Sequence, residues 1–255
     1  MSLAPVIDAL GIPPNALVEQ RVPKKLLLEH GAPAAADKRQ IQDGIEEIVW
    51  VAALKPTNIG VPAFEDAERQ YLEIAVVTVE LRPAARPPRL IELIHRAIPY
   101  PLVLVTRQSE AVSLSLAHKR WSQGDAGKVV IEEVRQSALS PDAPSTQEAE
   151  FLASLAVSRL PSRDLFTLYD GMLARIAALE ASRITGAFAP PDSPERASTL
   201  REGLDRHARL QRDLGLLRAR AAKEKQINRR VELNLELKRL EAELAATNCA
   251  LKEEG

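Results

Sequence analysis

The sequence is poor in the residues that build disulfides, metal centres and aromatic binding sites. It contains one cysteine, Cys249, which excludes an internal disulfide and a zinc site made of several cysteines. Its four histidines are scattered over different predicted elements, whereas metal ligands must converge in space. We therefore predict no bound metal and no cofactor.

Charge of one sign and long apolar runs are also missing. The formal net charge of −1 gives no overall attraction to nucleic acid or to an anionic membrane, so such attraction must come from local clusters. No apolar run reaches the roughly 20 residues that a helix needs to cross a bilayer. The N-terminal residues also lack the pattern of a basic, apolar signal peptide. We expect a cytoplasmic protein without membrane contacts.

Proline occurs no later than Pro194, which divides the sequence into two halves of different character. Between residues 87 and 98 of the first half, apolar side chains recur at helical spacing. Around this segment lie runs of strand length rich in β-branched residues, at 46–54, 71–81, 101–107, 111–119 and 128–136. This order predicts an α+β domain over residues 1–138, with a mixed sheet and flanking helices.

A connector and a helical arm follow this domain. Residues 139–192 are predicted to be a linker and helical connector, in which Ser145 or Thr146 can cap a helix. Ser193, followed by a proline, is a typical helix start. Residues 193–255 are rich in Leu, Ala, Glu, Arg and Lys, which predicts a long helix or coiled-coil arm.

The arm is expected to continue as one helix beyond Gly215, with two apolar stripes. One stripe runs from Leu210 to Leu235 and the other from Leu233 to Leu251. The stripes lie roughly 130° apart on one helical wheel. Because an apolar face rotates when a helix passes from one packing partner to another, the polar stretch at 223–234 is interpreted as the boundary between two contact surfaces.

Residues of this stretch and of the leucine stripe after it are predicted to bind another protein. Asn228 lies within the first apolar stripe, where an asparagine lowers stability but fixes register or partner choice. The predicted interface residues are Asn228, Val231, Asn234, Leu235, Leu237, Leu240 and Leu244.

The arm is polarised in charge. Residues 206–230 hold nine Lys or Arg against two acids, and residues 231–255 hold three against six. Three interpretations stay open: a solvated helix face, an antiparallel homodimer that pairs basic with acidic halves, and a contact with a phosphate backbone. The residues predicted to bind nucleic acid or an acidic partner are Arg209, Arg212, Arg220, Lys223, Arg229 and Arg230.

We recognise no catalytic motif, since H-E-x-x-H, G-x-S-x-G and G-x-G-x-x-G are all absent. The best enzymatic alternative is a metal-dependent nuclease, whose site gathers carboxylates and a lysine on neighbouring strands. Its weak candidates are Glu73, Glu80 and Lys119. Acidic side chains on the exposed side of a sheet are routine, so we favour a protein without a catalytic site.

Several strings resemble an uncharacterised bacterial family known as a domain of unknown function. They include "IQDGIEEIVWVAALKPTNIGVPAF", "LIHRAIPYPLVLV" and "KEKQINRRVELNLELKRLE", and the resemblance spans nearly the whole chain. Members of that family are often encoded beside helicases and DNA methyltransferases of restriction-like, anti-phage islands. The resemblance therefore implies an accessory subunit, and it implies no catalytic residues.

The helical arm favours a protein-binding role, and the resemblance implies that this role is that of a non-enzymatic accessory or scaffold subunit of a bacterial DNA-targeting defence complex. Its expected partner is a helicase or a DNA methyltransferase, bound through the C-terminal helix, and a homodimer through the same helix is a further expectation. The alternatives are a metal-dependent nuclease and a DNA-binding module.

Overall fold

The computed structural model describes residues 3–30, 34–122, 124 and 129–254. The chain divides into two compact units, residues 1–176 and 177–255. The division falls inside one helix, Leu165–Thr185. Within the described residues, no helix is both long enough and apolar enough to span a membrane.

The first unit is built on a six-stranded mixed sheet of order β1-β2-β5-β6-β7-β8. These strands are β1 (Leu17–Arg21), β2 (Ile45–Leu54), β5 (Ile74–Leu81), β6 (Leu102–Gln108), β7 (Ala111–Trp121) and β8 (Val129–Leu139). A small separate ribbon pairs β3 (Phe64–Glu65) with β4 (Gln70–Tyr71). The helices are α1 (Ala4–Ala9), α2 (Lys24–His30), α3 (Ala35–Gly44), α4 (Pro56–Ile59), α5 (Pro87–Ala97), α6 (Thr146–Ser154) and the start of α7 (Leu165–Thr185).

Four of the five strand pairings in the large sheet are antiparallel, and the pairing of β5 with β6 is parallel. A parallel pair needs a crossover connection, and α5 provides it. The apolar face of α5 buries Leu90, Ile91, Leu93 and Ile94 in a cluster that also holds residues of β2, β5 and β6. One core of this unit therefore lies between α5 and the sheet. The other face of the sheet is buried as well, since Val76, Val103 and Val105 alternate with the residues of this cluster and are 0% exposed.

The fold class predicted from the sequence is confirmed. Each of the five predicted strand runs overlaps a strand of the large sheet, and the helix predicted at 87–98 is α5. The edge strand β1 was not predicted. It is short and mostly exposed, its pairing with β2 is irregular, and Glu19 within it has a φ of 51°, so it lacks the regular alternation that marks a strand.

Helix α6 begins with the cap predicted from the sequence. The Ser145 hydroxyl accepts a hydrogen bond from the Glu148 N–H, and the Glu148 carboxylate accepts one from the Ser145 N–H. This reciprocal pair satisfies two N–H groups that the helix itself leaves without a partner.

The first part of α7 is fixed to the sheet by one buried tyrosine. The Tyr169 hydroxyl donates to the Leu102 carbonyl at 2.8 Å and accepts from the Ala117 N–H at 2.9 Å. These two residues lie just beyond Leu104 and Ser115, where the paired register of β6 and β7 ends. The hydroxyl thus replaces the ladder bonds that the separating strands no longer make to each other.

The second unit contains two long helices, α8 (Pro194–Lys223) and α9 (Ile227–Glu254). The predicted start of α8 is confirmed, because the Ser193 hydroxyl accepts from the Arg196 N–H. The prediction of one continuous helix beyond Gly215 is wrong, since Glu224 has an extended conformation with ψ of 125°.

The two helices fold back on each other as an antiparallel hairpin, which we call the C-terminal hairpin. Arg218 pairs with Glu241 at 2.8 Å, and the Leu251 side chain lies against Gly203. A Cβ at Gly203 would come within 2.8 Å of Leu251 Cδ2, so this glycine permits close helix contact and does not break α8. The polar stretch at 223–234 therefore contains the hairpin turn and is not a boundary within one helix.

Candidate functional site

Helix α9 has two faces of opposite character. The face toward α8 carries a leucine stripe with heptad spacing. Leu251 in this stripe is 2% exposed, and the other members are half-buried: Leu233, Leu237, Leu240 and Leu244. At 100° per residue, Val231 lies 180° from Leu240 and points away from α8. Ile227, Val231 and Leu235 are 69%, 52% and 56% exposed.

The predicted protein-interface residues are divided between these two faces. Leu237, Leu240 and Leu244 lie on the face toward α8, so the chain itself covers them in part. Asn228, Val231, Asn234 and Leu235 are exposed. A contact with another molecule is therefore open to the second group without any change in the hairpin.

The exposed apolar side chains of the hairpin are concentrated near its turn. Among the described residues, the four most exposed large apolar side chains are Leu216 at 66%, Ile227, Val231 and Leu235. They fall within residues 216–235, on either side of the turn. We call them the turn cluster. The sequence pattern did not identify Leu216 and Ile227, because neither belongs to a leucine stripe.

The six predicted cationic residues are all exposed, and the hairpin separates them into two groups. Arg209 and Arg212 lie in the middle of α8, whereas Arg220, Lys223, Arg229 and Arg230 surround the turn. The two ends of this set on α8, Arg209 and Lys223, are about 21 Å apart along the helix axis. The basic surface near the turn thus coincides with the turn cluster.

A groove of about 830 Å³ lies on the hairpin between α8 and the last turns of α9. Its lining includes small residues such as Ala246 and Ala250 and the cationic side chains of Arg206, Arg209 and Arg212. Carboxylates of Glu202, Asp205 and Glu253 line the same groove. The mixed charge gives it no clear preference for an anion.

The nuclease candidates are not brought together by the fold. Glu73 pairs with Lys55 at 3.1 Å, and Glu80 pairs with Arg107 at 2.7 Å. The two glutamates are seven residues apart along β5 and its N-terminal approach, which is about 23 Å for an extended chain. Within the described part of the chain, no group of three His, Cys, Asp or Glu side chains could hold a metal ion.

Lys119 is buried on the side of the sheet that faces α5. Its ammonium nitrogen donates to the Tyr100 carbonyl at 2.7 Å and to the Ile98 carbonyl, just after α5 ends. Burial lowers the pKa of Lys119 to about 7. Nearby, the fully buried His95 contacts the Ser115 hydroxyl through Nε2 at 3.0 Å, and burial lowers the pKa of this histidine as well. Lys119 thus hydrogen-bonds to backbone carbonyls just after α5 and does not join Glu73 or Glu80.

A second buried polar group was not predicted. The Tyr71 hydroxyl lies 2.6 Å from His118 Nδ1, and His118 Nε2 lies 3.1 Å from an Asp170 carboxylate oxygen. Burial raises the pKa of Tyr71, so its hydroxyl stays protonated and can donate to Nδ1 while Nε2–H donates to Asp170. The rings of Phe166 and Tyr169 pack around His118.

This tyrosine–histidine–aspartate chain joins β4, β7 and α7. Tyr71 is 1% exposed and His118 7%, which leaves little surface for a substrate to reach. Tyr71 and His118 are 47 positions apart in sequence, and His118 and Asp170 are 52 positions apart, so no local sequence motif identifies them. We interpret this hydrogen-bonded tyrosine–histidine–aspartate network as a structural element of the first unit.

The chain was also compared with known proteins. A family model described as a domain of unknown function, DUF4391, matches residues 10–244. The chain belongs to the DUF4391 family. The match begins just after α1 and ends at Leu244 within α9, so the DUF4391 domain includes the large sheet and most of the C-terminal hairpin.

The comparison with curated proteins and the comparison with solved structures gave no match. The DUF4391 description names no activity and no binding residue. The surfaces and contacts of the protein itself therefore indicate its function.

Proposed function

We propose that this DUF4391 protein is a non-enzymatic accessory subunit of a bacterial DNA-targeting defence complex. In this proposal the sheet unit is a stable body and the C-terminal hairpin binds a partner protein, a helicase or a DNA methyltransferase. The cytoplasm is the proposed location, because such partners act on DNA there.

The turn cluster is the observation that supports this proposal. Its four side chains are the most exposed large apolar side chains among the described residues, and they occupy one end of one hairpin. Scattered apolar residues on a surface need no explanation. Ile227, Val231 and Leu235, however, recur every four residues along one side of α9, and such an apolar row rimmed by polar residues marks a site of protein association. The rim here is basic, with Arg220, Lys223, Arg229 and Arg230.

The separation of the acidic and lysine candidates supports an accessory role over a nuclease. Glu73, Glu80 and Lys119 each have partners of their own, in different parts of the sheet unit. A metal-dependent nuclease needs such groups around one metal ion.

Affinity capture of the full-length chain from the cells that encode it tests the proposal. We expect a helicase or a DNA methyltransferase to be recovered in a fixed ratio to the chain. The double variant I227N/V231N should lose it, because asparagine removes apolar contact area from the turn cluster. The matched control is L17N/L72N, which alters two exposed leucines of the sheet unit.

Two results would contradict the proposal. One is recovery of no DNA-acting enzyme, together with light scattering that shows a monomer insensitive to salt. The other is equal recovery of the enzyme with the I227N/V231N variant and with its control, which would place the contact elsewhere. A divalent-cation-dependent cleavage of plasmid that E80A abolishes would favour the nuclease alternative.

A further inference from the structure

The outer face of α9 repeats with heptad spacing, as its inner face does. The outer positions are separated alternately by three and four residues, and all eight are exposed: Asn228, Val231, Leu235, Lys238, Ala242, Ala245, Cys249 and Lys252. A three-four repeat is the pattern by which one helix packs along another. Helix α9 therefore carries two seams on opposite sides, and α8 covers only the inner one.

The composition of this outer seam restricts what can lie on it. Five of its eight positions are apolar, and Ala242, Ala245 and Cys249 are small enough to allow close approach of a second helix backbone. Asn228 is a polar residue of the kind that fixes register in a coiled coil. The seam covers 25 residues of α9, or about 37 Å.

Two lysines interrupt the seam at equivalent places. Lys238 and Lys252 occupy the same heptad position, two heptads apart, and both are exposed. Within the residues that the structure describes, neither ammonium group takes part in an ion pair. A cation within an apolar seam is unfavourable unless the opposite helix supplies a carboxylate.

From this pattern we propose that the outer face of α9 docks one amphipathic helix of a partner protein, whose apolar seam carries carboxylates opposite Lys238 and Lys252. This inference rests on the proposed function and specifies the partner's chemistry. A second copy of the chain fits less well. In a parallel pair each lysine would face the same lysine of the other copy. In an antiparallel pair with full overlap, Lys238 would face Ala242 and Lys252 would face Asn228, so neither lysine would meet a carboxylate in the seam.

Binding of two designed peptides to the full-length protein tests this inference. Each peptide has about four heptads with leucine in the seam. The acidic peptide carries glutamate opposite both lysines, and the basic peptide carries lysine there. We expect the acidic peptide to bind about tenfold more tightly or better, which corresponds to at least about 1.4 kcal/mol.

Two double variants extend this test, one that reverses the lysine charges and one that replaces two apolar side chains. The variant K238E/K252E should reverse the preference and bind the basic peptide more tightly, while V231N/L235N should weaken both complexes. The control is L72N, an exposed leucine of the sheet unit, which should leave both affinities unchanged. Circular dichroism of each variant should show the same helix content as the parent chain.

Any of four outcomes would overturn the inference. The peptides could bind equally well, or K238E/K252E could keep the preference for the acidic one. Light scattering could show a dimer that V231N/L235N dissociates, which would make a second copy the occupant. A short DNA duplex could displace the acidic peptide, which would assign the face to nucleic acid.

The proposed function is tested separately from this inference. If K238E/K252E and V231N/L235N still capture the native helicase or methyltransferase and I227N/V231N does not, the accessory role stands and the outer-seam partner is wrong. If the peptides show the expected preference but no DNA-acting enzyme is captured, the helix-binding face stands and the defence role is wrong.

Discussion

The sheet unit and the C-terminal hairpin use apolar residues in different ways. In β5, six of eight residues are buried, and most polar side chains buried nearby have hydrogen-bond partners. In α9, only Thr247 and Leu251 are buried among the residues whose side chains are described. Strand β5 is thus covered on both faces, while α9 leaves much of its apolar surface open.

This difference indicates which region is available for binding. The exposed large apolar side chains of the sheet unit, such as Leu17, Leu26 and Tyr100, lie on different elements and are less exposed than those of the hairpin. The end of α7 packs against the hairpin at Leu200, Leu204 and Leu251. Closer to the turn, each helix has only the other as a neighbour and can cover only one of its faces. We therefore expect substitutions to change stability most in the sheet unit and binding most in the hairpin.

The largest expected effect comes from a cavity in the sheet core. Ile94 is fully buried in the cluster between α5 and the sheet, so I94A should lower the free energy of unfolding by about 2–5 kcal/mol. L240A, at a half-buried position of α9, should cost less than half as much. Urea unfolding followed by fluorescence of Trp50 and Trp121, both in the sheet unit, measures the first. Equal costs would contradict the contrast between the two regions.

Burial of Lys119 should make the stability of the sheet unit depend on pH. Its pKa is about 7 when folded and about 10.4 when unfolded, so between these values the unfolded chain binds a proton that the folded chain lacks. The free energy of unfolding should rise with pH over this window, by at most about 1.4 kcal/mol per pH unit.

The variant K119M should flatten this rise. Measurements should stay below about pH 9.5, because the raised pKa values of the buried Tyr71 and Tyr169 oppose the trend above pH 10. A control with K252M, at an exposed lysine, should keep the rise. A parent protein whose stability is flat between pH 7 and 9 would contradict the assignment.

A smaller effect is expected from removing one hydroxyl. Y169F should destabilise the sheet unit by about 1–3 kcal/mol, because the Ala117 N–H and the Leu102 carbonyl lose a buried partner. The matched control is Y100F, at a tyrosine that is 51% exposed. Hydrogen exchange should show faster exchange at the start of β6 and in the facing part of β7. Unchanged protection there would contradict the role given to Tyr169.

The smallest effect on stability is expected on the outer face of the hairpin. L235A should change the free energy of unfolding by no more than about 0.5 kcal/mol, because its side chain is already in water. L217A, at a residue of α8 that is 5% exposed, should accelerate hydrogen exchange in both α8 and α9. A large loss of stability in L235A would mean that the outer seam is covered within the chain.

Prediction from the sequence succeeded where the local pattern and the tertiary environment agree. The runs that became β2, β5, β6, β7 and β8 are rich in β-branched residues, and Ser145 and Ser193 precede helices that they cap. Prediction failed at the hairpin turn, because Lys223, Glu224, Lys225 and Gln226 include neither glycine nor proline.

The candidate surface was predicted only in part, because the hairpin turn was not predicted. Val231 and Leu235 were identified as apolar positions, but the assumption of one continuous helix assigned them to the stripe that begins at Leu210. Only the break shows that they belong to an outer seam with Lys238 and Lys252. The Tyr71, His118 and Asp170 chain could not be predicted, because residues so far apart in sequence meet only when the sheet forms.

By itself, the sequence determined the α+β class, most strands of the large sheet, the helix caps and the segment that carries the basic and apolar side chains. Those features follow from local spacing and from the conformational preferences of single residues. The tertiary structure alone decided the hairpin. No glycine or proline marks the break at Glu224, and folding back there removes two leucine stripes from water at once.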